Sequence, residues 1–310
     1  MTPRPLTRKP KQLAEDPTVF EPSPGGRGTV LRARTPRRHE AGSVQGGSSD
    51  PDSTDEGAEL TGSVELNVDV DSVTLARARQ IAGRLSLRRP RRDLIARHGA
   101  GHLASGRYDG GSDDVDLDAT LDSLVAHPVP EEEDIIVRRA MRTRRSVVLL
   151  VDVSGSMRGE RIRTAAATVG ALTAELTGDD LAVIAFWSDA AVLSPLGRPI
   201  VPEQLLDTLL RLPARGLTNV HFPLQLARQQ LARVPVRDAR ALLLSDCLHN
   251  AGPDPRLAAG GVTRLDVLLD TSGQNDAELA RDLARSGRGR LAEVNTHRDV
   301  PSAVSQVFET

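Results

Sequence analysis

The stretch SVVLLVDVSGSM, residues 146–157, decides the fold. Five apolar residues, Val147 to Val151, run without a polar interruption, as a strand buried on both faces requires. The run ends at Asp152, and Ser154 and Ser156 follow at alternate positions. A buried strand that delivers a carboxylate and two hydroxyls at its carboxyl end raises three readings: a nucleophile, a phosphate cradle or a metal cup.

Downstream of this strand the chain alternates. A helical pattern covers 159–176, followed by apolar runs at 181–186 and 190–196. Helical patterns follow at 203–212 and 220–234, then a strand pattern, ARALLLS, at 239–245. Another apolar run, 263–269, is followed by a helix from Asp276, the strand pattern GRLAEV and a closing helix, VPSAVSQVF. This rhythm predicts an α/β domain over residues 134–310, a doubly wound, mostly parallel sheet with helices on both faces. Ligands in such sheets bind at the carboxyl ends of the strands, where strand order reverses.

The upstream third reads differently. Residues 1–60 are rich in Pro, Gly, Ser and Arg and poor in large apolar residues, which predicts a disordered segment. Residues 61–133 read as a helical, charged extension, with one helix from Ser72 to Leu87 stopped by Pro90. The arginines of segment 77–92 read as a solvated helix face, and no aromatic residue interleaves them, which argues against nucleic acid. Asp118 reads as the N-cap of a short helix through Val125, and Ile135–Val137 as an edge strand. Asp114, Asp116 and Asp118 lack the glycine and glutamate offsets of a calcium loop.

Composition narrows the chemistry. The 310 residues carry a formal net charge of −2, so no global field draws the chain to nucleic acid or anionic lipid. A single cysteine excludes an internal disulfide framework and fits a reducing compartment. With no apolar leader and no run of the ~20 apolar residues a membrane helix needs, the expectation is a soluble, cytoplasmic protein without membrane contact. Lys9 and Lys11 are the only lysines. A Walker A loop needs Gly-Lys-Ser/Thr, so the folded part of this chain has none.

Three strand-end loops offer oxygen donors. They are Asp152, Ser154 and Ser156 after the first strand, Thr218 before a helix, and Asp246 after ARALLLS. Two carboxylates and three hydroxyls are hard ligands, suited to Mg²⁺ or Mn²⁺ and not to zinc. Hydroxyl ligands leave a dication electrophilic, so such a site would accept an acidic side chain from another protein. An aspartyl phosphatase would want a second Asp where Ser154 stands and a downstream lysine, and a serine hydrolase would want G-x-S-x-G; neither is present. Cys247 and His249 are too few soft ligands for zinc, and the glycines of HGAGH argue against a helix aligning His98 and His102.

Asp-x-Ser-x-Ser after a buried strand, then Thr218 in GLTN (216–219), then Asp246 in LLLSDC (242–247), resembles the metal-ion-dependent adhesion site of the von Willebrand factor type A domain. Asp152, Ser154, Ser156, Thr218 and Asp246 match its positions in order, and Cys247 stands where the family commonly has glycine. The resemblance implies direct ligation by Ser154 and Ser156, a direct or water-mediated bond from Thr218, and waters held by Asp152 and Asp246. It also implies partner contact around Thr218 and Asn219. The upstream VDLDATLDSLVA and EEEDIIVRRAMRTRR resemble the intracellular bacterial branch, CoxE-like proteins and the D subunits of magnesium and cobalt chelatases. That branch implies a non-catalytic adaptor beside an AAA+ ATPase of the MoxR type. A chelatase accessory subunit and a binding module without an ATPase are the alternatives.

Overall fold

The computed structural model describes residues 10–13, 16–22, 30–33, 63–65, 72–86, 102–108, 114–127, 131–141, 145–154, 160–175, 179–212 and 217–308. Ser156, His98 and four arginines of segment 77–92, Arg88, Arg89, Arg91 and Arg92, lie outside the described residues.

Eleven strands are described: β1 Val19–Pro22, β2 Val30–Ala33, β3 Ser63–Glu65, β4 His102–Arg107, β5 Ile136–Met141, β6 Ser146–Asp152, β7 Asp180–Phe186, β8 Ala190–Ser194, β9 Ala239–Ser245, β10 Leu265–Asp270 and β11 Arg288–Val294. Nine form one sheet in the order β11-β10-β9-β6-β7-β8-β1-β2-β3, and β4 pairs with β5 in a second, two-stranded sheet. The pairs from β11 through β7 are parallel, while β8 runs antiparallel to β7.

Strand β6 has a neighbour on each side, β7 and β9, and its side chains alternate between two cores. Val147, Leu149 and Val151 pack with α3 (Glu160–Glu175), α4 (Pro202–Leu210) and α8 (Val300–Phe308). Val148 and Leu150 pack with α5 (His221–Leu231), α6 (Pro255–Ala259) and α7 (Ala277–Ser286). All five side chains are buried, as the unbroken apolar run predicts. At roughly 1.5–3 kcal/mol per buried Val or Leu, this strand anchors both layers.

The chain leaves β6 toward β7 and β8, then returns across β6 to β9. Strand order therefore reverses between β6 and β9, and a crevice opens at their carboxyl ends. Asp152 is the last residue of β6, and Asp246 immediately follows β9.

Residues 1–60 are expected to be disordered, yet β1 pairs in parallel with β8 and β2 pairs with β1. The cause is local. Val19–Phe20 and Val30–Leu31 are short apolar pairs hidden in a polar average; Leu31 is fully buried and Phe20 stacks on Trp187 at 6.0 Å. Helix α1, Ser72–Ser86, also joins the core, burying Ala78 and Ala82 against α3. The crossing is close: a Cβ on Gly170 would meet the Ala82 carbonyl oxygen at 2.5 Å. Elements from before residue 134 thus complete the core of the domain expected to start there.

Helix α2 spans Leu117–Ala126, and its N-cap is Asp116, not Asp118. Asp116 accepts from the Ala119 backbone N–H at 3.4 Å, whereas Asp118 lies in the first turn. Among the described residues no helix is long and apolar enough to cross a membrane.

Candidate metal centre at the strand crossover

Register places the first contact. Val151 of β6 lies opposite Leu244 of β9, so Asp152 and Ser245 stand side by side at the strand ends. The Ser245 hydroxyl donates to Asp152 Oδ2 at 2.5 Å. Asp152 Oδ1 accepts from the Ser154 backbone N–H at 2.9 Å and from its hydroxyl at 2.5 Å. An aspartate bonding two residues ahead turns the chain sharply, which brings Ser154 back over the strand end.

Thr218 reaches the same point from its own loop, its hydroxyl donating to Ser154 Oγ at 2.5 Å. The loop is fixed by its backbone. The Thr218 N–H donates to Asn250 Oδ1 at 2.7 Å, and its carbonyl accepts from the N–H groups of Asn250 and Ala251 at 3.1 and 3.2 Å. Asn219 turns inward, only 1% exposed, and its Oδ1 accepts from the Phe222 N–H at 3.3 Å at the start of α5. Gly252, at φ +81°, passes so close that a Cβ there would meet Asn219 Oδ1 at 2.8 Å. The Asn219 side chain therefore holds the loop that carries Thr218.

Asp246 closes the set. Its Oδ1 accepts from the Leu248 N–H at 3.0 Å, and its Oδ2 from Arg161 Nη2 at 2.7 Å. Cys247 follows at φ +58°, the left-handed region that favours glycine. Its N–H donates to Ser245 Oγ at 2.8 Å, so one hydroxyl ties this turn to Asp152. A small cavity of about 20 Å³ lies between Asp152, Asp246, Asp270, Arg161 and Thr164. Thr164 Oγ1 is buried beside it without a hydrogen-bond partner among the described residues.

Burial raises the Asp152 carboxyl to about 6, and the neighbouring Asp246 charge adds to the rise, against hydrogen bonds from Ser154 and Ser245. Burial also pushes the Cys247 thiol well up, with the charges of Asp152 and Asp246 adding. His249 is held below its ordinary value by burial, and its Nδ1 accepts from the Val220 N–H at 3.3 Å. Both side chains are buried, and His249 Nε2 has no hydrogen-bond partner among the described residues.

The donor set fits a hard dication. Two carboxylates and two hydroxyls meet at one rim, and Asp152 carries the mark of a buried carboxylate beside a second negative charge. Among the described residues no group of three or more His, Cys, Asp or Glu side chains is arranged to hold a metal, so the set depends on its hydroxyls. Four of the five expected ligand residues, Asp152, Ser154, Thr218 and Asp246, meet at this rim; Ser156 lies outside the described residues. Sequence reasoning missed Ser245, Asn250 and Arg161. Ser245 was legible in principle, as a hydroxyl at the last inward position of β9; Arg161 was one arginine among many.

Residues 147–249 match the family model of the von Willebrand factor type A domain. No curated protein matches the sequence. Solved structures with similarity include an aerotolerance-related membrane protein of Bacteroides fragilis, 17% identical over 52% of this chain and 97% of that one, TM-score 0.45. A von Willebrand factor type A protein of Catenulispora acidiphila is 17% identical over 54% of this chain and 42% of that one, TM-score 0.43. A manganese-loaded TRAP protein of Plasmodium vivax is 18% identical over 53% of this chain and 73% of that one, TM-score 0.40. These scores carry no argument about what the present chain binds.

Proposed function

We propose that the chain is a metal-dependent protein-binding adaptor. Ser154, Ser156 and Thr218 would hold Mg²⁺, or Mn²⁺ in its place, with Asp152 and Asp246 orienting the hydroxyls and bound waters. When bound, the dication supplies an electrophilic coordination position that the carboxylate of a protein client fills. The chain's own residues do the rest. Ser245 and Ser154 fix the Asp152 carboxylate, and Asn250 fixes the loop that carries Thr218.

One observation carries the reading: Ser245, Asp152, Ser154 and Thr218 form a continuous hydrogen-bonded chain of oxygens at the crossover of β6 and β9. The chain is not an enzyme by itself in this reading, having no Walker A loop and no lysine after Lys11. We place it beside a MoxR-type AAA+ ATPase on the resemblance of its upstream segment to CoxE-like proteins, with work in the cytoplasm. Co-purification with such an ATPase and its client tests this, comparing wild type, Thr218→Ala and EDTA-treated samples. The reading expects loss of the client in the last two. Equal recovery in all three would contradict it.

A further inference from the structure

Helix α2 is built inside out. Its inward face is polar: the Thr120 hydroxyl accepts from the Ile136 N–H at 2.9 Å and donates to the Ile136 carbonyl at 3.1 Å. The Ser123 hydroxyl donates to Asp134 Oδ1 at 3.2 Å, and Asp116 caps the helix while accepting from Ser105 Oγ at 2.5 Å. Leu124 is half-buried on that side, but the other large apolar residues of the helix point the other way. Leu117, Leu121 and Val125 are 69%, 59% and 87% exposed.

These three stand at i, i+4 and i+8, so they form one stripe along the helix. Among the described residues eight large apolar side chains are exposed, and four of them, Val115 included, lie on or beside this helix. Apolar residues scattered singly over a surface need no explanation, but a contiguous stripe marks an interaction surface. The polar contacts below it hold the helix in place, so the stripe is presented without an ordering cost at binding.

We infer that α2 is a docking helix, and that its partner is an amphipathic helix of another protein with arginine or lysine along its flanks. The charge pattern selects that occupant. Asp118 and Asp122, both exposed, line one edge of the stripe, and with Asp114 and Asp116 they set four carboxylates against the guanidinium of Arg138, which faces Asp114, Asp116 and Asp118, so the edge stays acidic. A basic flank complements them, whereas a second copy of α2 or an anionic lipid surface brings negative charge to negative charge. The surface is small, so the contact is transient. It stands apart from the metal reading and would give an adaptor its second face.

The probe is a fluorescent amphipathic peptide of leucine and arginine at helical spacing, titrated with the full chain in EDTA, with a leucine–glutamate peptide as its charge-reversed counterpart. The arginine peptide binds and the glutamate peptide does not. The double variant Leu117→Ser/Leu121→Ser weakens binding at least about tenfold, and Asp118→Asn/Asp122→Asn weakens it and flattens its salt dependence. The substituted side chains are exposed, so both variants fold. Absence of binding, or equal binding by all variants, overturns the inference. So does sedimentation showing a dimer that the leucine variant dissociates, because a second copy would then cover the stripe.

Discussion

Arg161 and Asp246 form a 2.7 Å ion pair at the rim where Asp152 ends its strand, and Arg161 Nε lies 3.9 Å from Asp270. The guanidinium is thus a resident cation that offsets one of the two carboxylates assigned to the metal. A dication entering beside Asp246 meets a positive charge already paired there, and the two compete. Arg161→Gln should therefore bind Mn²⁺ more tightly than wild type, by several-fold to about tenfold, and should unfold more readily without metal. Calorimetry and urea unfolding in EDTA check both halves. Equal or weaker Mn²⁺ binding in the variant would contradict the competition.

The Asp152 carboxyl sets a pH dependence in the metal-free protein. It is raised by burial to about 6 in the fold, against about 3.9 in an unfolded chain. Between those values the native state holds a proton that the unfolded state releases. Stability from this group is therefore full at low pH, falls as pH rises from about 4 to about 6, and stays lower above. Carboxyls held below their ordinary value, such as Asp254 with its Arg256 hydrogen bonds, act oppositely and at lower pH. Asp152→Asn isolates the effect: its urea midpoint in EDTA should fall less than that of wild type between about pH 4.5 and 7. Parallel profiles would rule out the assignment.

Cys247 occupies a left-handed backbone position that costs an L-residue roughly 1–2 kcal/mol. Cys247→Gly relieves that strain while losing a small buried side chain, whereas Cys247→Val adds a β-branch where φ is +58°. The glycine variant should be the more stable of the two by about 2 kcal/mol or more in urea unfolding. The buried thiol should also resist a disulfide reagent in the native state and react only on unfolding. A native thiol that reacts freely would contradict its placement.

Strand β2 makes a prediction that composition opposes. Leu31 is fully buried with Phe20 and Trp187 in the core under α1. Leu31→Ala should destabilise the domain by about 2–4 kcal/mol, read from the unfolding midpoint. A change below about 0.5 kcal/mol would mean that residues before 60 are dispensable for folding.

The C-terminal half was legible because its physics is local. Val147–Val151 has no polar face, so a two-sided strand is its one burial solution, and ARALLLS repeats the pattern. The ligand residues were legible for the same reason, since strand ends in such a sheet converge. What escaped was decided by tertiary contact. Phe20 and Leu31 sit in short apolar pairs, and only the waiting edge of β8 and the core beneath it make strands of them. Arg161 gains its role from Asp246, 85 residues away. Asn219 follows Thr218 directly, yet turns inward to cap α5, and no spacing rule separates those two fates.

The central claim is that Asp152, Ser154, Thr218 and Asp246 hold a dication. Its most direct test is titration calorimetry of Mn²⁺ into the metal-free wild type and into Asp152→Ala, with circular dichroism to confirm that the variant is folded. The account predicts one saturable site in wild type and no heat of binding in a folded Asp152→Ala protein. Equal Mn²⁺ affinity in the two proteins, or no binding to wild type, would contradict it.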